Sequence, residues 1–354
     1  MSTSSEPSRT PVTTIPTVNI SPFTNPASTD AERLGAGQAL VAALHRLGFA
    51  KITGHGLAGQ EMDDAFAWVK RLFDLPVEDK MKAPHPAAPM PHRGYSGLGS
   101  EKVYSMEDLE SQVAGGKPEQ ELRKVEDFKE SYEVGSEDDD QQPNIWLPDE
   151  VLPGFRDYTT SLYQRLSGVA NAILDAIGVG LRLDAHDLAA LRQMACYRYC
   201  QLRLLHYPAI TKQKLQKDVF ARMPAHNDWG TFTMLMQDSN GGLELRDPQS
   251  QQFLQGSPEN GVLILNAGDM LQRFTNGYFI SALHRVSVPN PDAVSEAGIP
   301  ARYSIPFFVA PAPSHTVASL ARFVSAETPA KYEPVKFEDY SSVISKYMYR
   351  SEKA

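Results

Sequence analysis

Hydrophobic positions along the chain change their period near residue 195. Before that point they recur mostly at helical spacing. "STDAERLGAGQALVAALHRLGFAKITGHG" carries Leu40, Ala43, Leu44 and Leu47 on one face, with Ser28, Thr29 or Asp30 able to cap and Gly48 able to stop the helix. Phe49 to Thr53 then reads as a strand, and Ile15 to Ile20 as a short one before it. Met62, Phe66, Val69 and Phe73 mark a second helix. A long third helix, near residues 154–178, has a stripe of Tyr158, Leu162, Leu166, Val169, Ile173 and Ile177 whose plain reading is core. Beyond residue 195, short apolar runs alternate with Gly, Asn and Pro turns: "LRLLHYP", "TFTMLM", "LELRD", "VLILN", "LHRVSVP" and "RYSIPFFVA". That pattern predicts an antiparallel sandwich or barrel. "VKFEDYSSVISKYMYRSE" predicts a last helix.

Two stretches carry neither period. Residues 1–14 are rich in Ser, Thr and Pro and read as disordered. Residues 83–146 hold many Pro, Gly and charged residues, as a lid or disordered loop does. Within them "EDFKESYEVG" can hold order, and the acidic run Glu137 to Asp140 reads most simply as a solvated turn. The expected division is a disordered 1–14, an N-terminal helical and lid region over 15–150, a helix plus β-core over 151–346, and a tail over 347–354. The two large parts share one unit, so the fold class is α+β.

Composition narrows the function classes. Of 354 residues, 42% are hydrophobic and 22% charged, and the formal net charge is −9. An acidic chain lacks the basic face that a nucleic-acid backbone requires. No apolar run nears the ~20 residues of a membrane span, and no leader is recognisable. The two cysteines, Cys196 and Cys200, read as small buried side chains rather than a disulfide or zinc site, which fits a reducing compartment. A cytoplasmic, monomeric protein without nucleic-acid or membrane partners is the expectation.

The candidate chemistry lies in the β-rich half. "PAHNDWG" sets His226 and Asp228 at i and i+2, which in a strand puts both on one face, at the mouth of an apparent hairpin. His284 stands in another strand candidate. Two imidazoles and one carboxylate can occupy one face of an octahedral metal, as in non-haem Fe(II) oxygenases. Arg302 and Ser304, again at i and i+2, suit a carboxylate co-substrate, because a guanidinium grips carboxylate with two parallel bonds. Each piece recurs by chance; their order and strand context together are far more specific.

The sequence resembles the isopenicillin N synthase-like Fe(II)/2-oxoglutarate-dependent dioxygenases. The resemblance rests on "HNDWG", "GGLELRD", "LILNAGDML", "LHRV" and "RYSIPFF", with "IPTVNIS", "LGFAKITGHG", "FDLPVEDK", "RGYSGLGSEKV" and "DFKESYEVG" in the first half. It covers roughly residues 15–346. It implies a double-stranded β-helix, the jelly roll, flanked by helices. It implies that His226, Asp228 and His284 hold Fe(II), that Arg302, Ser304 and Tyr207 hold 2-oxoglutarate, and that O2 is consumed with release of succinate and CO2. Ascorbate is the expected activator. Plant members usually carry Asn two residues before the Tyr, where this chain has Leu205, and Thr is frequent where Asn227 stands.

Within the group the sequence looks most like fungal thymine dioxygenases and fungal polyketide-tailoring oxygenases. That likeness implies a substrate pocket built from Arg203, Trp229 and Phe308, with Arg93 and Tyr95 in a lid. Cys200 and Trp229, where the thymine enzymes are expected to have Asn and Tyr, point to a larger or less polar ring. The expected reaction is hydroxylation of a small cyclic metabolite, aromatic or polyketide-derived, in fungal secondary metabolism. Alternatives are a pyrimidine methyl hydroxylase, or ring expansion, desaturation or cyclisation. A silent binding protein would not need the full set, and a zinc hydrolase leaves Arg302 and Ser304 unexplained.

Overall fold

The structure, a computed structural model, describes residues 14–86, 92–100, 128–217, 222–288 and 294–348, the backbone alone at 216–217 and 344–348. Residues 1–13 of the stretch expected to be disordered, 349–354 of the expected tail and the "EKV" of the first-half motif lie outside the described residues.

Twelve strands build the core: β1 Thr17–Asn19, β2 Phe49–Thr53, β3 Gly94–Ser96, β4 Glu130–Val134, β5 Gln201–Tyr207, β6 Met223–His226, β7 Phe232–Gln237, β8 Leu243–Arg246, β9 Phe253–Gln255, β10 Leu263–Ala267, β11 His284–Val286 and β12 Arg302–Val309. They form an eight-stranded sheet, β1-β2-β10-β7-β12-β5-β4-β3, and a four-stranded sheet, β6-β11-β8-β9. Apart from the parallel β1–β2 pair, neighbours run antiparallel. Small apolar clusters join the sheets, such as Phe49, Leu243, Leu245 and Ile264, or Leu205, Tyr207, Met223 and Val286. The antiparallel sandwich or barrel expected from the short strands is present, in the jelly-roll form that the family resemblance implies.

Side-chain alternation decides what each strand offers. On β12, Arg302, Ser304, Pro306 and Phe308 face the space between the sheets, while Ile305, Phe307 and Val309 belong to the large core on the other side. On β5, Arg203, Leu205 and Tyr207 face inward, while Leu202 and Leu204 face that core. Pro306 lies on a central strand, and the β12–β5 ladder has no pairs between Ser304↔Leu205 and Phe307↔Leu202.

Helices cover the outer face of the large sheet. Thr29 caps the helix Asp30–Arg46 through a capping box with Glu32. Gly48 adopts φ +76° just past its end. Leu40 and Leu44 are fully buried, each contributing roughly 1.5–3 kcal/mol. The long helix Phe155–Gly180 buries Leu162, Leu166, Val169, Ile173 and Ile177, the stripe expected, although Tyr158 is only partly buried. On the helix Gly59–Phe73, Met62, Val69 and Phe73 are buried, but Phe66 only partly. One contiguous core runs from Val18 to Leu320.

The acidic run is a correction. Asp139 is buried and pairs with Arg93 at 2.7 Å, while its other oxygen accepts from the backbone N–H groups of Gln141 and Gln142. Glu137 accepts from Asn144 and Trp146 and pairs with Arg156. The run is an organised turn, because arginines far away in sequence meet it.

Candidate active site

The stretch "PAHNDWGT" does not make a hairpin. β6 belongs to the small sheet and β7 to the large one, so the segment between them is a corner where the chain changes sheets. β6 ends at His226, and Asp228 stands in the turn beyond it rather than in a strand. The two side chains nevertheless converge, because the corner folds Asp228 back. His284, on β11, lies directly opposite His226 in register, beside a bulge.

The three donor atoms form a compact set. Asp228 Oδ1 lies 3.8 Å from His226 Nε2 and 3.8 Å from His284 Nε2. Atoms at that separation can each stand about 2.2 Å from a common ion. Both imidazoles present Nε2 because Nδ1 is occupied by a backbone carbonyl: Pro224 O at 2.9 Å for His226 and Ala282 O at 3.1 Å for His284. Asp228 Oδ2 accepts from Thr233 Oγ1 and Asn266 Nδ2, both at 2.6 Å, which leaves Oδ1 to face the histidines. Burial, with His284 beside it, pushes His226 down to about 4, so the ring is a neutral ligand at neutral pH. Burial alone would raise Asp228; His284, His226 and the two hydrogen bonds outweigh it and hold the carboxyl below its usual range. The donor set fits a divalent ion with open positions.

Two glycines let this corner exist. A Cβ on Gly230 would stand 2.4 Å from Val309 O, and one on Gly268 would stand 2.3 Å from Gly230 O. The "NAGDML" motif grips the corner through backbone: Asp269 N donates to Asp228 O at 2.8 Å and Met270 N to Gly230 O at 3.0 Å. Asn227, between the ligand candidates, donates to Ser281 O at 3.0 Å and so ties the corner to the segment leading to His284.

An inner cavity of about 60 Å³ runs from this triad between the sheets, and Tyr207, Arg302 and Ser304 line it. Arg302 is 1% exposed and donates to Ser304 Oγ at 2.9 Å and Gly241 O at 2.7 Å; its guanidinium lies 5.2 Å from the Tyr207 ring. Among the described residues no carboxylate stands within ion-pair distance of it, an arrangement that suits an incoming one.

An outer cavity of about 170 Å³ shares Arg203, Met223, His226, Asp228 and Phe308 with the inner one. Trp229 and Phe308 both line it, as expected, and Arg203 lies 5.7 Å from the Phe308 ring. Arg93 lines it too, but its nitrogens are committed to Asp139, Gln142 O and His92 O. Tyr95 is a correction: it lines neither cavity, and its hydroxyl donates to Glu130 at 2.5 Å in a buried cluster with Lys80 and His206. Gly94, between Arg93 and Tyr95, adopts φ +83° and breaks the alternation, so the two side chains meet different surroundings. Cys200 lines neither cavity either; it is fully buried in the large core, and burial pushes its thiol up to about 12.

The sequence reading missed Gln142, Tyr199, Gln201, Phe337 and Ser341, all of which line the outer cavity. Phe337 and Ser341 belong to the last helix, Phe337–Met348, at i and i+4 on one face. Tyr340 Oη on this helix donates to Asp269 Oδ2 at 2.6 Å, and Asp269 Oδ1 accepts from Ser281 at 2.6 Å. The helix is thereby fastened to the turn that grips Asp228. Tyr340→Phe is expected to lower stability by about 1 kcal/mol, read as a drop of a few degrees in a thermal melt. An unchanged melting temperature would show that this bond does not fasten the helix.

A jelly roll holding two histidines, a carboxylate and a buried arginine with no carboxylate at ion-pair distance among the described residues defines the class of non-haem metal oxygenases that take a carboxylate co-substrate. The family comparisons agree. Residues 15–149 match the model described as non-haem dioxygenase in morphine synthesis N-terminal, and residues 195–311 match the 2OG-Fe(II) oxygenase superfamily. The chain belongs to the 2-oxoglutarate- and Fe(II)-dependent oxygenases, and it is an enzyme of that family, whose cofactors are Fe(II) and 2-oxoglutarate. Its relatives include a 2-oxoglutarate-Fe(II) type oxidoreductase, ppzD, of Metarhizium rileyi, 36% identical over 347 residues, with 98% of this chain and 92% of the relative covered. Another is a proline hydroxylase, buaE, of Petromyces alliaceus, 38% identical over 297 residues, covering 83% and 87%. Among solved structures, a full-length Neurospora crassa protein in complex with alpha-KG superposes with a TM-score of 0.80 at 28% identity, covering 94% of this chain and 95% of that one. The same protein with alpha-KG and thymine gives 0.78. No helix among the described residues is long and apolar enough to cross a membrane.

Proposed function

We propose that the enzyme hydroxylates a small cyclic metabolite, an aromatic or polyketide-derived intermediate of fungal secondary metabolism, in the outer cavity. The observation that carries this reading is the pair of aromatic walls, Trp229 and Phe308, in the cavity that His226 and Asp228 of the triad also line. The fungal relatives support it. In this reading His226 Nε2, Asp228 Oδ1 and His284 Nε2 hold Fe(II). Arg302 and Ser304, with Tyr207 beside them, hold the distal carboxylate of 2-oxoglutarate. Bound iron and 2-oxoglutarate supply the O2-dependent oxidation, with succinate and CO2 as co-products. The chain's own part is orientation: Thr233 and Asn266 keep Oδ1 aimed at the ion, the aromatic pair sets the ring's plane, and the last helix keeps water out. Ascorbate as activator, a monomeric state and a cytoplasmic location complete the proposal.

A pyrimidine substrate is the second reading. It is favoured by the likeness to the Neurospora crassa protein, one of whose complexes contains thymine. The burial of Cys200 away from both cavities removes one reason to set it aside, because that side chain does not meet the substrate. Ring expansion, desaturation and cyclisation require no different first step.

Substrate-dependent succinate release tests both. Purified enzyme with Fe(II), ascorbate and 2-oxoglutarate is expected to release succinate slowly, without stimulation by thymine, and to respond to a polyketide-like phenol or dienone. Thymine-stimulated release with a hydroxylated product would replace the first reading by the second. No iron-dependent release with any ring would overturn both.

A further inference from the structure

We infer that the outer cavity takes its substrate uncharged, and that Glu133, a buried carboxylate behind its wall, sets this preference. The inference rests on the reading of that cavity as the substrate site.

Three arginines border the cavities, and all are buried: Arg302 is 1% exposed, Arg93 2% and Arg203 7%. They differ in what faces them. Among the described residues, Arg302 donates to neutral acceptors, namely Gly241 O, Ser304 Oγ and Gln237 Oε1. A buried guanidinium without a counterion is costly, so its pocket favours an anion. Arg93 has Asp139 at 2.7 Å and Arg203 has Glu133 at 2.5 Å. Both carboxylates are buried and neither lines the cavity, Glu133 being 0% exposed. Each of these two cations of the outer cavity is therefore balanced from behind.

The balance on Arg203 follows from β-sheet register. Glu133 on β4 lies directly opposite Arg203 on β5, and Gln201, two residues earlier, shares the cavity-facing side. One Glu133 oxygen faces Arg203 Nε; the other accepts from Gln201 Nε2. With one of its two N–H donors committed to Glu133, the Gln201 amide keeps its oxygen, an acceptor, to offer a ligand. A carboxylate brought to Arg203 would lose its hydration and then meet Glu133's charge across the same guanidinium. An uncharged ring with an N–H or O–H donor suffers neither cost and finds an acceptor in Gln201.

The test is a paired binding measurement on the full chain with Fe(II) and 2-oxoglutarate, without O2, by calorimetry. The probes are naphthalene-2-carboxamide and 2-naphthoate, which are similar in shape but differ in charge. Wild type is expected to bind the amide at least tenfold tighter. Glu133→Gln, nearly isosteric, removes the balancing charge and is expected to shift the ratio at least tenfold towards the naphthoate. Arg203→Met leaves Glu133's charge and is expected to shift it the other way, which keeps the proposal testable if Glu133→Gln does not fold. Equal or tighter naphthoate binding by wild type, no amide binding at millimolar concentration, or a ratio unmoved in a folded variant would each overturn it. The charge-transfer absorbance of the Fe(II)–2-oxoglutarate complex is read in the same samples. Its absence would count against the proposed oxygenase site, while the probe ratio still decides the charge preference.

Discussion

Asp228→Ala is expected to reduce turnover at least a thousandfold and to abolish stoichiometric iron binding. A thousandfold corresponds to roughly 4 kcal/mol of barrier. Asp228 is the only carboxylate among the described residues grouped with His226 and His284, and its Oδ1 faces both imidazoles. Removing it leaves two neutral nitrogens, a poor site for a hard divalent ion. The fold should survive. The substitution strands Thr233 Oγ1 and Asn266 Nδ2, but it also removes a buried charge, so the apo protein should shift by only about 1–3 kcal/mol. Iron content by elemental analysis, succinate release and a thermal melt separate these effects. His226→Ala should behave alike. Normal iron-dependent activity in either variant would sink the metal assignment.

The second large effect is at the co-substrate. Arg302→Ala should raise the 2-oxoglutarate concentration needed for half-maximal turnover about a hundredfold, since losing one partner of a buried charge pair costs about 2–5 kcal/mol. Arg302→Lys keeps the charge but loses the planar fork, so an increase of about tenfold is expected. Arg302 also braces Gly241 O, so a melt must accompany the kinetics. An unchanged 2-oxoglutarate requirement in a folded Arg302→Ala protein would remove this residue from the co-substrate site.

These predictions start from residues legible in the chain itself. His226, Asp228, His284, Arg302 and Ser304 all stand within or beside short apolar runs that did form strands. Two local expectations differ from the structure: Asp228 is in a turn, and the supposed hairpin is a crossing between sheets. Thr233 and Asn266 sit in the runs "TFTMLM" and "LILNAGDML" and face the triad by strand alternation, so the signal for them was present. Nothing local marked Glu133 as the partner of Arg203, or Phe337 and Ser341 as a cavity wall.

Apart from β3 and β4, which form inside the stretch read as a lid or loop, the sequence by itself determined most element types, the sandwich-or-barrel class of the β-rich half and the candidate chemical kit. Those depend on periodicity, which is written along the chain, and on residue types that few chemistries require together. Tertiary structure alone decided which charges cancel and what the cavity's far wall is. Asp139 with Arg93 and Glu133 with Arg203 meet through a turn and a strand register, and the last helix reaches the cavity across the whole chain. Such pairings join residues distant in sequence, and a charge reads as solvated until the fold brings its partner and excludes the water.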